Sequence, residues 1–405
     1  MDPINKLPIG FNTLAEEKKE EIPLCVPHIT GEDWHYIKEC LDSGSVSSIG
    51  PYVDEFEKKV STYTGSKYAI AAINGTAALH MSLLIAGVQP NDEVLISALS
   101  FIAPANAIRY VGAWPVFIDA EPNYWQIDPE KVEHFLKNHC CWREHALYNK
   151  KTGRKVKAIL PVHIFGHPVD LDPILSLAKK YHLLVIEDAA ECFGAKYKEK
   201  IVGTLGDIGC FSFNGNKIVT AGGGGMIVTD NSEWARKAKY LMTQAKDDSV
   251  EGIHHEIGYN YRLTALQAAL GCSQMERLSD YIGIKRQIAD IYTAAFEDMP
   301  GVQTMKEADW AFSIFWMFTI LVNEKKYGMN RKELSRKLQE IGIQTRSLWQ
   351  PLHLSSCFKG ASSSDCTIAE KLNREGLSLP CSVGLLNHGM SSIEAVIYEV
   401  KKNAL

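Results

Sequence analysis

Residues 207–230 read DIGCFSFNGNKIVTAGGGGMIVTD. Two short apolar runs, Ile208 to Phe213 and Met226 to Thr229, have the length and the small flanking residues of buried strands, and four consecutive glycines, Gly222 to Gly225, precede the second. Lys217 falls between them. Removing an ammonium from water is costly and drives it towards the neutral amine. Lys217 is therefore either a charge exposed at a turn or a nucleophile, and the neighbouring Gly and Asn, ordinary turn residues, leave both readings open.

Before this stretch the chain alternates strands with helices. Val53, Phe56, Val60 and Tyr63 recur at helical spacing after Pro51, and Thr64-Gly65 closes that helix. Tyr68 to Ile73 then reads as a strand, Asn74-Gly75-Thr76 as a small-residue turn and Ala77 to Ala86 as a helix. Free N–H groups at such a helix start, with the threonine hydroxyl and the helix dipole, suit a phosphate, although an ordinary N-cap has the same appearance. Strands over Glu93 to Ser97, Trp114 to Ile118, Ala158 to Val162 and Leu183 to Ile186 alternate with helices over Phe101 to Val111, after Pro129 and over Leu171 to Tyr181. This rhythm is that of an α/β domain with a mainly parallel sheet. Residues 138–157 interrupt it with a basic, polar stretch that reads as a solvated surface insertion.

The last of those strands ends in Glu187-Asp188. Ligands in open α/β sheets lie beyond the carboxyl ends of the strands, so Asp188 stands where a cofactor-binding carboxylate belongs, or caps a turn. After the opening stretch come a helix over Ser232 to Gln244, a looser polar segment, and a long helical region from about Leu263 to Phe296 with Gly271 and Gly283 as weak points. An aromatic strand over Ala311 to Val322, a helix over Arg331 to Ile341 and a final helix over Ile393 to Lys402 complete a smaller α+β part. The expected organisation is an irregular arm (1–30), a large domain (31–275) and a small C-terminal domain (276–405).

Composition narrows the function. With 405 residues, 46% hydrophobic, 22% charged and a net charge of -5, the chain has the balance of a soluble globular protein and no basic footprint for nucleic acid. No apolar run is long enough to span a bilayer, and the N-terminus lacks a signal-peptide pattern, so a cytoplasmic location is expected. Ten cysteines without a C-x-x-C pair read as reduced packing residues, with no metal site expected. Neither a P-loop nor a dinucleotide fingerprint is present.

Three pieces together favour the functional reading of Lys217: the turn at Asn74 to Thr76, the strand-end Asp188, and the lysine itself. Pyridoxal 5'-phosphate requires this set. Its aldehyde condenses with an amine, its phosphate takes helix-start N–H groups and hydroxyls, and its ring nitrogen needs a carboxylate.

The motifs EDAAECFGA (187–195), GDIGCFSFNGNKIVTAGGGGMIVT (206–229), INGTAAL (73–79), SFIAPANAI (100–108), PVHIFGHPVDL (161–171), GYNYRLTALQAAL (258–270) and TRSLWQPLHL (345–354) resemble, in this order, those of the DegT-type sugar-nucleotide aminotransferases, which are fold-type-I pyridoxal phosphate enzymes. The resemblance spans about residues 23 to 403. It implies a large domain with a mainly parallel seven-stranded sheet and a smaller α+β C-terminal domain. It further implies that Lys217 bonds the cofactor aldehyde and shuttles the proton, that Asp188 pairs with the ring nitrogen, that Phe101 stacks on the ring, and that Asn74, Gly75, Thr76 and Ser212 hold the phosphate. Asn260 would reach the phosphate of a neighbouring subunit, so a homodimer with shared active sites is expected. Glu191 stands near the cofactor's phenolic oxygen, where many members have Gln or His, and Asn74 stands where serine is usual. His353, in PLH, is a substrate-side candidate. Relatives that dehydrate sugars carry His in place of the lysine, so Lys217 implies transamination. The expected reaction moves the amino group of L-glutamate to a nucleotide-linked 4-keto sugar. The subgroup pattern points to a UDP-linked 2-acetamido-4-keto-6-deoxy sugar, with a GDP-linked 4-keto-6-deoxymannose or a non-catalytic regulatory relative as alternatives.

Overall fold

The computed structural model describes residues 21–248, 250–386 and 390–404. Seven strands form the central sheet: β1 (Tyr68–Ala72), β2 (Glu93–Ser97), β3 (Trp114–Ile118), β4 (Lys155–Leu160), β5 (Leu184–Asp188), β6 (Ile208–Ser212) and β7 (Gly225–Thr229). Their spatial order is β1, β7, β6, β5, β4, β2, β3, and every pairing is parallel except those of β7, which runs antiparallel to both β1 and β6. Helices cover the faces, so β2, β6 and β7 are buried along their whole length and are apolar between their ends.

The sheet is wider than its seven expected strands. Residues 138–157 form a hairpin, Cys140–Arg143 with Ala146–Asn149, whose second strand adds antiparallel to β4. This overturns the solvated-loop reading. The hairpin is anchored at the fully buried Glu93, which accepts from Asn149 Nδ2 and Thr152 Oγ1, both at 2.8 Å, with Arg154 3.8 Å away. A buried carboxylate needs such donors, and only the folded hairpin supplies them. At the β3 edge of the sheet Ser362–Ser363 adds parallel to β3, giving ten strands in all.

The remaining C-terminal residues build a four-stranded antiparallel sheet in the order Val302–Thr304, Phe318–Val322, Gly376–Leu379, Arg346–Ser347. Two expectations are corrected here. The helical region after Leu263 breaks at Arg277, between Ala265–Glu276 and Leu278–Phe296, and not at a glycine. Gly271 is a packing residue, since a Cβ there would lie 2.7 Å from the Phe56 ring. The aromatic strand is also interrupted, into Ala311–Phe312 and Phe318–Val322, with Phe315 at φ 43° between them. Gly166, at φ +92°, lets this interruption press in, because a Cβ there would meet the Trp316 nitrogen at 2.5 Å.

The expected arm lies outside the described residues up to 20, and from Ile22 it is tied down. Ile22 exchanges backbone hydrogen bonds with Gly342 and Gln344, and the Leu24 carbonyl accepts from Cys381 N at 2.8 Å. Among the described residues no helix is long and apolar enough to cross a membrane.

Candidate active site

The carboxyl ends of β1, β5 and β6 open onto one cavity of about 330 Å³. Its lining includes Asn74, Gly75, Thr76, Phe101, Asp188, Glu191, Ser212 and Lys217, so eight of the ten expected site residues meet there. Close backbone packing brings them together. A Cβ on Gly75 would come within 2.9 Å of Ser212 Cβ, and one on Gly225 within 2.5 Å of the Asn74 carbonyl. Asn74 caps the helix Gly75–Ile85, its Oδ1 accepting from Ala77 N at 2.8 Å. A wider surface cleft, lined by Gly203, Asp207 and Trp234, lies at the opposite end of β6 and holds none of these groups.

Lys217 follows a tight turn, its backbone N–H donating to the Asn214 carbonyl at 2.9 Å. Its side chain is 12% exposed, with Nζ 3.6 Å from Glu191 Oε1 and 3.9 Å from the centre of the Trp316 ring. Asp188 accepts one hydrogen bond, from Ala190 N at 3.0 Å, and burial raises its pKa against the pull of that N–H and of Lys217. Glu191 is raised too, first by burial and further by the Asp188 charge, with Lys217 and the Phe165 N–H opposing. Phe165 N donates to Glu191 Oε2 at 2.9 Å, which secures Phe165 at φ 60°. Two buried acids thus face a single ammonium.

Behind Asp188, Glu187 is held below its ordinary value. Burial would raise it, but His163 and the backbone N–H groups of Gly206 and Gly203 prevail. His163 Nδ1 accepts from Val169 N at 2.9 Å, which leaves the ring proton on Nε2, 3.0 Å from Glu187 Oε2. The His163 backbone N–H also donates to the Asp188 carbonyl at 3.0 Å. His163 therefore braces the strand end that carries Asp188.

Pyridoxal phosphate matches what these residues leave unpaired. Among the described residues neither the Thr76 nor the Ser212 hydroxyl has a protein partner, and Ser100, also lining the cavity, has a buried hydroxyl without one. These hydroxyls and the capped helix start suit a phosphate, a cationic ring nitrogen would relieve the buried Asp188, and the half-exposed face of Phe101 suits a flat ring.

Two expected residues lie elsewhere. Asn260 is exposed, accepts from the Arg262 guanidinium at 3.1 Å and does not line its own chain's cavity. His353 does not reach the cavity either; its Nε2 lies 3.1 Å from Glu370 Oε1. Sequence reasoning singled out none of Trp316, Trp349 and Arg346, which form the outer wall. Trp349 stacks on Phe165 with ring centres 5.1 Å apart, and the Arg346 guanidinium has no hydrogen-bond or ion-pair partner among the described residues. Arg346 and Trp349 sit in TRSLWQPLHL, but only the tertiary fold brings that segment to the cavity.

Residues 27–398 match the profile of the DegT/DnrJ/EryC1/StrS aminotransferase family. The chain is 39% identical over 377 residues to a GDP-perosamine synthase of Escherichia coli O157:H7, covering 93% of this chain and 96% of the relative. It is 36% identical over 380 residues to a GDP-perosamine synthase of Caulobacter vibrioides, covering 94% and 98%. Among solved structures, a DegT DnrJ EryC1 StrS aminotransferase from Brucella abortus superposes with a TM-score of 0.83 at 28% identity, covering 92% of this chain and 95% of that one.

Proposed function

The chain belongs to the DegT/DnrJ/EryC1/StrS aminotransferase family and is a pyridoxal phosphate-dependent sugar aminotransferase, and on that premise we propose that it moves the amino group of L-glutamate to the 4-keto carbon of a GDP-linked 4-keto-6-deoxymannose. The observation that carries the chemistry is the convergence of Lys217, Asp188 and the Asn74 to Thr76 helix start on one cavity. The choice of sugar rests on the two GDP-perosamine synthases that match nearly the whole chain. This reading replaces the UDP-linked 2-acetamido sugar expected from the subgroup pattern, because the GDP-perosamine synthases favour the GDP-linked alternative.

When bound, pyridoxal phosphate supplies an aldehyde that condenses with amines and a protonated ring that draws electrons from the adjacent substrate carbon. Lys217 is the amine that would bond the aldehyde, and its nitrogen is the group placed to hold or pass a proton at the reacting carbon. Asp188 would pair with the ring nitrogen, its carboxylate favouring the protonated ring. The Thr76 and Ser212 hydroxyls and the helix start would hold the phosphate, and Phe101 would cover one ring face. Trp316 and Glu191 confine the Lys217 amine to the cavity. Arg346, a free cation at the outer wall, takes the carboxylate of glutamate or the diphosphate of the sugar nucleotide. Asn260 serves the cavity of a second copy, which makes the homodimer the active unit.

The test is mass detection of the aminated product after incubation with L-glutamate and a panel of 4-keto nucleotide sugars. Product from the GDP-linked sugar supports the assignment. Product from the UDP-linked 2-acetamido sugar alone would restore the earlier expectation.

A further inference from the structure

Lys285 lies within the helix Leu278–Phe296 and is almost wholly buried. Its Nζ donates to the Trp316 carbonyl at 2.7 Å and lies 3.7 Å from Cys25 Sγ and 3.6 Å from Cys381 Sγ. Among the described residues no carboxylate comes within ion-pair distance of it. An ammonium buried without an anion is costly, and among the described residues the ionisable groups beside it are the two thiols. The backbone sets them side by side, because Cys381 N donates to the Leu24 carbonyl at 2.8 Å and Val26 N to Ser382 Oγ at 3.0 Å.

The two sulfurs are not equivalent. The neighbouring Cys381 thiol lowers the Cys25 pKa most, against desolvation, and the Lys285 charge lowers it further with Lys217 contributing at longer range, while Cys381 Sγ itself lies 3.5 Å from the Trp316 carbonyl. Cys381 moves the other way and stays protonated. Cys25 is partly exposed whereas Cys381 is buried. Cys25 Sγ also lies 3.5 Å from the carbonyl of Asn216, which accepts from the Trp316 indole N–H at 2.8 Å. The pair thus adjoins the backbone of the residue before Lys217.

We propose that Cys25 is a site of reversible oxidation by peroxide, with Cys381 as the resolving thiol and the Trp316 wall of the active site as the element it disturbs. The Cys25 thiolate attacks one peroxide oxygen, an S–O bond forms as the O–O bond breaks, and hydroxide leaves to be protonated to water. The Cys381 sulfur then attacks the Cys25 sulfur, the S–S bond forms, and the S–O oxygen departs with the Cys381 proton as a second water. Two thiols lose two electrons to one peroxide. Oxidation removes the anion facing Lys285 and takes away the Cys381 thiol, which lies 3.5 Å from the Trp316 carbonyl as its second donor. The inhibition rests on the aminotransferase reading, whereas the chemistry at sulfur does not.

The experiment maps thiols on the holoenzyme. Brief iodoacetamide labelling at pH 6 followed by peptide mass spectrometry should alkylate Cys25 about tenfold faster than the exposed Cys357, the gain in thiolate outweighing the lower nucleophilicity of an acidic thiol. Hydrogen peroxide should give a Cys25–Cys381 crosslink and a loss of aminotransferase activity that dithiothreitol reverses, and the Cys25→Ser variant should keep whatever activity it has under peroxide. Labelling of Cys357 before Cys25, or equal peroxide sensitivity of Cys25→Ser and wild type, would overturn the proposal. A labelled and crosslinked protein inactive on every sugar would overturn the functional reading while leaving the oxidation site standing.

Discussion

The Lys217 ammonium lies 3.9 Å from the centre of the Trp316 ring, whose indole N–H donates to the carbonyl of Asn216, the residue before the lysine. One side chain therefore covers the Lys217 amine and pins its backbone. Face contact of this kind is worth roughly 0.5–2 kcal/mol. Trp316→Leu should lower kcat by about tenfold, since about 1.4 kcal/mol is a factor of ten, while Trp316→Phe, which keeps the face and loses the N–H, should fall between. Steady-state kinetics decides; equal kcat in all three proteins would mean that Trp316 only fills space.

Asp188 gives a prediction with opposite signs for stability and activity. Burial raises its folded-state pKa above the unfolded value, so the folded protein binds the proton more tightly than the unfolded chain. Ionising the group then costs stability. The penalty is absent below the ordinary carboxylate value and grows as pH rises through the raised one. Asp188→Asn, which retains an acceptor for Ala190 N–H, should melt higher than wild type at neutral pH in the cofactor-free protein, with the difference vanishing in acid. Turnover should fall roughly a hundredfold or more. A variant melting lower than wild type at pH 7.5 would contradict the buried-charge argument.

Glu191 holds the strained Phe165 N–H and faces Lys217. Glu191→Gln keeps an acceptor for that N–H and should retain folding and most activity. Glu191→Leu strands the N–H and should cost about 1–3 kcal/mol. Denaturant unfolding of the two variants separates hydrogen bonding from charge, and equal losses would show that the charge alone matters.

Much of the fold was legible because the strand-helix alternation is local. The limits of β2 and β3 coincide with their apolar runs, and Asn74 was readable as a cap from its place before an apolar helix. Lys217 and Asp188 were found because strand ends and turns announce themselves along the chain, whereas Ser212 was found through the family resemblance. Trp316, Trp349 and Arg346 carry no such signal: they reach the cavity through a bend permitted by Gly166 and through the pairing of Arg346–Ser347 with Gly376–Leu379. The basic residues of the 138–157 hairpin hid its strands, because its anchor, Glu93, lies some 50 residues earlier. His353 has the motif position of a substrate contact, yet its partner is Glu370.

Gly271 tests the packing account away from the cavity. A methyl there would lie 2.7 Å from the Phe56 ring, which is itself fully buried. Gly271→Ala should therefore destabilise by roughly 1–3 kcal/mol despite the better helix propensity of alanine, with kcat unchanged well below the melting temperature. A rise in melting temperature would show that Phe56 moves aside freely.

The most direct measurement is borohydride reduction of the enzyme as purified with pyridoxal phosphate, followed by peptide mapping. The account predicts a pyridoxyl phosphate group on Lys217 and on no other lysine, with loss of the label and of all amination of the 4-keto sugar in Lys217→Ala. A label on a different lysine, or amination that survives Lys217→Ala, would contradict it.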